Sequence, residues 1–322
     1  PLVYPEGTFM VTAGADRRET GTHYTPKFLT EAIVKETLEP LVYVGPAEGK
    51  PREEWTLRPS RELLDLKVCD PAMGSGAFLV QVCRWLSERL VESWSEAEAG
   101  GKAVTSEGEV VHEIAGLEPL RADIEERVLA ARRLIAERCL YGVDMNPLAV
   151  ELAKLSIWLI TLAKGRPFGF LDHNLRCGDS LLGIHDLDQL LYLEMTPGKG
   201  SSKKLFAAKI DAAVERALEL RGELRGRPIR DIRDVEIMAS LDERARRELA
   251  VPQLIADAFI GDVFAARADQ NSIGLSIDAG RAIEDPNANA SALIRRSQIG
   301  LRSDLAPGRT HLQPFHWPLE FP

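Results

Sequence analysis

The chain has 322 residues, 45% hydrophobic and 28% charged, an ordinary balance for a globular fold and enough for two or three modest domains or one domain with large insertions. No apolar run approaches the roughly 18 residues of a membrane span, and Pro1 to Glu6 lack the charged start and apolar core of a secretion signal. The net charge of −9 argues against gripping a nucleic-acid duplex by overall charge; that would need a local basic patch or a surface elsewhere in a larger protein.

Residues 1 to 25 read as an extended lead-in, and a start on proline leads us to expect residues upstream. Thr25 is the expected N-cap of a helix with Pro26 in its first position, where the missing N–H costs nothing. Phe28, Leu29, Ile33, Val34 and Leu38 follow at helical spacing. Residues 44 to 60, rich in Gly, Pro and charge, read as a loop. Leu63 to Cys69 reads as a buried strand ending at Asp70, broken by Gly74 and Gly76, with a helix from about Ala77. Ser95 to Glu118 has no strong period and reads as an insertion. Leu120 to Arg138 is charged and helical. Cys139 to Val143 is a second expected strand, ending at Asp144. Asn146 caps a helix beginning at Pro147, with Gly165 as its stop. Leu175 to Cys177 is a third strand, ending at Gly178-Asp179.

Helix, strand, helix, strand, helix, strand is the order of a parallel sheet wrapped by helices. After Leu193 the character changes. Thr196 to Lys204 is a Gly/Ser/Lys linker, 205 to 270 is helical, 271 to 310 has no assignable fold, and Pro314 to Pro322 is aromatic and proline-rich. The expected division is a lead-in and helix over 1–60, an α/β core over 61–193, and a mainly helical insertion and linker over 194–322.

The four cysteines, Cys69, Cys83, Cys139 and Cys177, form no CxxC pair. They are expected as buried free thiols, which places the chain in a reducing, cytoplasmic setting. The six histidines are scattered without ligand spacing, so no metal is expected. Nor is there a GxSxG, a Walker lysine motif or an HExxH.

Each strand ends in an acid beside a turn, which is where open α/β sheets bind ligands. Gly74-Ser75-Gly76 between strand and helix lets backbone approach a ligand, and the helix N-terminus beyond offers N–H groups and partial positive charge. That end suits a pyrophosphate or a carboxylate, and Asp70 could take an ammonium. Asp144 can accept two ribose hydroxyls, with Met145 against an adenine face; it can equally be an acidic turn residue beside the helix cap. Asp179 can accept from an exocyclic amine, although a Gly-Asp turn after a strand is common.

Together these motifs resemble the gamma class of adenine-N6 DNA methyltransferases, from about residue 17 to 184. Gly21-Thr22-His23-Tyr24-Thr25-Pro26 is similar to that class's N-terminal motif, Asp70 to Phe78 to its central cofactor loop, Tyr141 to Val150 to its ribose motif, and Gly178 to Leu182 to its adenine-edge motif. The resemblance implies a Rossmann-like fold, S-adenosylmethionine as cofactor, and a cofactor set of Tyr24, Thr25, Pro26, Asp70, Pro71, Ala72, Met73, Gly74, Ser75, Gly76, Phe78, Asp144, Met145, Asn146, Asp179, Ser180 and Leu181. Leu254 to Phe259 looks like the insertion of large restriction–modification and phage-defence methylases of the BREX and DISARM type. Implied partners are double-stranded DNA, through the rest of the protein, and other restriction or defence subunits.

One departure matters. The class holds its target adenine with Asn-Pro-Pro-Tyr, and no two consecutive prolines occur here; Asp285-Pro286-Asn287 is the nearest echo. No catalytic residue is therefore expected within the chain, which reads as cut upstream of that motif. Three other readings stand beside this one. A non-catalytic module binding S-adenosylmethionine is favoured by the missing tetrapeptide. A protein-glutamine methyltransferase is opposed by Thr25-Pro26 and the insertions. A nicotinamide-dependent dehydrogenase is opposed by the absent third glycine, since Phe78 and Leu79 follow Gly76.

Overall fold

The computed structural model describes residues 25–114, 116–162, 171–227, 229, 231–265, 268–302 and 312–321. Helix α1 (Lys27–Val42) follows the lead-in. Its N-cap is Pro26, with no side-chain cap, so Thr25 does not play the expected role: the Pro26 carbonyl itself accepts from Leu29 and Thr30. The supposed loop at 44–60 holds an antiparallel pair, β1 (Tyr43–Val44) and β2 (Thr56–Leu57), closed by Tyr43 packing on Trp55.

The expected strand over Leu63 to Cys69 is mostly helix. Helix α2 (Ser60–Asp65) follows Pro59 and buries Leu63 and Leu64, leaving only β3 (Val68–Asp70) extended. A short apolar run cannot distinguish a buried helix from a buried strand. Helix α3 (Ala77–Ala99) also runs further than its pattern suggested. Beyond it, β4 (Ala103–Val104) and β5 (Val110–Val111) form a hairpin, pinned where the buried Trp94 indole donates to the Gly108 carbonyl at 3.2 Å.

Three elements match expectation closely: α4 (Ile124–Arg138), β6 (Leu140–Asp144) and α5 (Pro147–Thr161). The caps explain why. Asp123 accepts from the N–H groups of Glu125 and Glu126, and Asn146 accepts from Leu148 with Pro147 in the first turn. The expected stop at Gly165 lies outside the described residues. Strand β7 (Leu175–Cys177) completes a parallel sheet of order β3-β6-β7. Leu79, Leu86, Leu90, Trp94, Ile135, Leu140 and Ile157 fill its core. The result is a mixed α/β fold with a parallel three-stranded sheet, compatible with a Rossmann-like architecture.

A second hydrophobic cluster begins at Leu182 and runs to Leu319. It takes in α6 (Leu187–Tyr192), α7 (Ala207–Gly226), α8 (Ile232–Phe264), α9 (Ala268–Glu284), α10 (Pro286–Gly300) and the short α11 (Trp317–Glu320). The described part of the stretch without an assignable fold, up to residue 302, is thus taken up largely by two helices, α9 and α10. Asp285 caps α10 and Pro286 begins it, so the nearest echo of the missing tetrapeptide is a helix start. Among the described residues no helix is long and apolar enough to cross a membrane.

The thiols depart from expectation. All four cysteines are free; Cys83 and Cys139 are buried, Cys177 is half-buried and Cys69 is exposed. Among the described residues strand β3 pairs with β6 alone.

Sheet and helices are joined by a buried charge cluster. Arg176 on β7 donates to Asp242 on α8 at 2.9 Å, and each side chain is 4% exposed. Arg246 reaches the other Asp242 oxygen at 2.8 Å. Burial alone would raise the Asp242 carboxyl, but the two guanidinium groups outweigh it and hold the acid below its ordinary value of 3.8. A folded-state value below the unfolded one means stability that is present above the unfolded value and lost as pH falls through the folded one. Asp242→Ala should therefore cost about 3 kcal/mol in urea unfolding at neutral pH, because Arg176 stays buried with only the more distant Glu320, at 3.4 Å, to compensate it. The gap between wild type and variant should narrow below pH 3.8.

Candidate functional site

The parallel register places three turns along one rim of the sheet. Asp70 pairs with Gly142, and Asp144 pairs with Cys177. Asp144 therefore stands two residues beyond the level of Asp70, roughly 7 Å further along the strand direction. Asp179 follows two residues after Cys177. All three side chains are partly accessible.

The turn after β3 is held from several sides. The Asp70 Oδ1 accepts from the Ala72 N–H at 3.0 Å. The Met73 N–H donates to the Val143 carbonyl at 3.0 Å. The Gly74 N–H donates to Asp144 Oδ2 at 2.8 Å, while Asp144 Oδ1 accepts from the Asn146 N–H at 2.8 Å. Asp144 thus bridges the first turn and the second. A carboxylate offers about four acceptor sites, so these two bonds leave capacity for hydroxyl donors. Sequence reasoning gave Asp144 a ligand-facing role and missed this internal one; neighbouring strand ends imply proximity, but no sequence signal picks out Gly74 as the partner.

Gly76 permits the approach of α3 to α5. Its φ is +82°, and a Cβ there would sit 3.1 Å from the Ala153 Cβ. It also stands as the N-cap of α3, which has no side-chain cap. First-turn N–H groups have no intrahelical partners, so this end of α3 is suited to an anionic group. Ala153, a small residue in a leucine-rich helix, is part of the cradle; its size was the available signal.

Electrostatics favour a cation beside that anion. Burial raises the Asp70 carboxyl above its ordinary value; the Ala72 N–H opposes this, and the charge of Asp144 adds to the rise. A bound cation near the two acids would relieve the repulsion.

The remaining expected residues are distributed as follows. Pro71, Ala72 and Ser75 are exposed, Gly74 and Phe78 are half-buried, and Met145 is 53% exposed at the second turn. The Met73 side chain instead turns into the core at 4% exposure, so its place in the set rests on its backbone. Asn146 is occupied as the cap of α5. Asp179 accepts from Leu181 at 3.1 Å, and Leu181 is almost fully exposed. Thr25 and Pro26 lie at the start of α1; Tyr24 lies outside the described residues. Sequence reasoning also missed Gln313 and Pro314. The Asp179 N–H donates to the Gln313 carbonyl at 2.8 Å, and Pro314 bridges to Asp179 in parallel. A cavity of about 500 Å³ beside this contact is lined by Pro147, Val150, Lys154, Cys177, Gln313 and Pro314, among others. Its Lys154 is already paired with Asp172 and Glu151. Among the described residues no cluster of His, Cys, Asp and Glu could hold a metal ion.

Comparison with known proteins gives one partial relationship. The chain is 27% identical over 209 residues to the "Putative type II restriction enzyme and methyltransferase RM.MjaORFECS2P" of Methanocaldococcus jannaschii. That match takes in 55% of this chain and 16% of that protein, so the chain spans a small fraction of its relative's length. No family model matches the chain, and no solved structure does.

Gly76→Ala should strain both the positive φ and the contact with Ala153. We expect a loss of about 1–2 kcal/mol in thermal or urea unfolding, with α5 displaced from α3.

Proposed function

We propose that this chain carries the S-adenosylmethionine pocket of an adenine-N6 DNA methyltransferase working in restriction–modification or phage defence. The observation that carries the reading is the Asp144 bridge to the Gly74 N–H. It joins two strand-end turns beside an uncapped helix N-terminus and an acid that burial raises. The relationship to a protein named as restriction enzyme and methyltransferase supports the same class.

These turns fit the chemistry of that cofactor. The α3 N-terminus suits a carboxylate, and Asp70, raised by burial and by Asp144, suits an ammonium. Asp144 has acceptor capacity for ribose hydroxyls, Met145 offers a soft apolar surface, and Asp179 can accept from an adenine amine. The cofactor would supply an electrophilic methyl group. The protein's part is to bind and orient, through groups already fixed by their own hydrogen bonds. The chain holds no Asn-Pro-Pro-Tyr, so the residues that grip a flipped adenine are not among these 322. Double-stranded DNA and other defence subunits are partners of the whole protein on this reading, which works in the cytoplasm.

Titration calorimetry tests it. S-adenosylhomocysteine should bind, and Asp144→Ala should weaken it by at least tenfold, since charge-assisted bonds to the ribose contribute about 1.5–3 kcal/mol each. Binding of NADH in place of S-adenosylhomocysteine would overturn the proposal. Methyl transfer to DNA by these 322 residues alone would show that the catalytic groups have been misplaced.

A further inference from the structure

We propose that Trp317 is a positioning residue for the 179–182 turn, setting Asp179 for recognition of the adenine amine. The inference rests on the cofactor reading above and deepens it.

The turn after β7 has few bonds of its own. The Leu182 N–H donates to the Asp179 carbonyl at 3.0 Å, and Leu181 donates to the Asp179 side chain. The rest of its support comes from a segment more than a hundred residues downstream. The Asp179 N–H donates to Gln313 at 2.8 Å, Phe315 donates to Leu182 at 2.7 Å, and Trp317 donates to Ile184 at 3.0 Å. These rungs lay residues 313–317 along the turn like an added strand. The Trp317 indole then reaches past its own rung, and its Nε1–H donates to the Ser180 carbonyl at 3.0 Å. Ser180 adjoins Asp179, so this bond acts on the residue next to the expected amine acceptor.

The strap is itself rigid. Phe315 is 2% exposed and meets the Trp317 ring edge-on at 4.9 Å and Phe321 at 5.4 Å. Phe321 in turn packs edge-on against Tyr141 of β6 at 5.2 Å. His316 accepts from the Ile184 N–H through Nδ1 at 3.3 Å and pairs through Nε2 with Asp257 of α8 at 3.1 Å. Gly183 lies so close that a Cβ would fall 2.3 Å from the Phe315 carbonyl oxygen. The inner side of the turn is therefore fixed by the strap, while Leu181 on its outer side stays exposed. A turn so held presents the Asp179 carboxylate in one place, which is what discrimination by a hydrogen bond to an amine requires.

The test compares two ligands on the full-length protein: S-adenosylhomocysteine, and S-inosylhomocysteine, in which a carbonyl replaces the amine. Calorimetry on wild type, Asp179→Ala and Trp317→Phe gives the ratio of their dissociation constants. Trp317→Phe keeps an aromatic ring against Phe315 and removes the N–H donor together with part of the indole's bulk. It should weaken S-adenosylhomocysteine by about three- to tenfold and change S-inosylhomocysteine by less than about twofold. The ratio should thus move towards that of Asp179→Ala. Equal weakening of both ligands, the mark of a merely structural role, would overturn the inference, as would no change in either. If Trp317→Phe does not fold, Asp257→Asn loosens the strap through His316. It should give the same selective loss at smaller size, and an unselective loss there also counts against the inference. Wild type binding neither ligand would instead sink the cofactor reading itself.

Discussion

The Asp144 carboxylate holds the site together. One oxygen fixes the Gly74 N–H and the other the Asn146 N–H. The first bond spans 70 residues of sequence and makes the turn after β3 depend on the turn after β6. Loops at strand ends cost conformational entropy to order. Here a single acid offsets part of that cost for two of them, and hydrogen bonds to a charged acceptor are about twice as strong as neutral ones. The same placement leaves Asp70 beside a second negative charge, which raises it further above its ordinary value. Asp144 thus orders both turns and adds to a rise in Asp70 whose larger cause is burial.

The third turn is governed differently. It begins where the Gly178 N–H donates to the Asp144 backbone carbonyl, and beyond that it is held by the 313–317 strap, whose flanking Leu312 and Leu319 pack in the helical cluster. That cluster is locked to the sheet by Arg176 and Asp242, both buried. A buried ion pair is weak evidence of net stability, but breaking it is costly. Its effect is to fix how α8 sits on β7. Because Asp257 of α8 also holds His316, α8 takes part both in docking the helices and in bracing the strap. The helical part is therefore the back wall of the third turn as well as an appendage to the sheet.

Legibility in the sequence followed locality. Helix α5 was readable because its cap is encoded locally, as Asn146-Pro147 shows, while α4 was read from its charged helical pattern with its start placed at Leu120, before the Asp123 cap. Strands β6 and β7 were readable as short apolar runs ending in acids. Leu63 and Leu64 misled because a buried apolar pair suits a helix and a strand equally; Pro59 was the better signal. The hairpin at β4 and β5 depends on Trp94, a contact between a helix and a turn 14 residues later, and periodicity does not register it. Helices α9 and α10 went unread because Gly, Asn and Asp weaken the pattern, although Asp285-Pro286 is a regular helix start.

The expected site residues divide along the same line. The strand-end and turn positions of Asp70, Gly74, Gly76, Asp144 and Asp179 were legible because acids after apolar runs and turn glycines are local signals, and β pairing brings those strand ends together. Met73 was assigned by motif membership alone, and its side chain is in the core. The strap was the least legible part. Nothing about Phe315 or Trp317 in isolation points to Ser180, 137 residues from Trp317. Their aromatic, proline-rich setting gave no periodic pattern to read, and in the fold it supplies hydrogen-bonded rungs along the turn and an edge-on aromatic cluster around the buried Phe315. An unusual local composition can therefore mark a segment whose structure is set by a distant partner. In this chain that partner is the turn on which adenine recognition is proposed to depend.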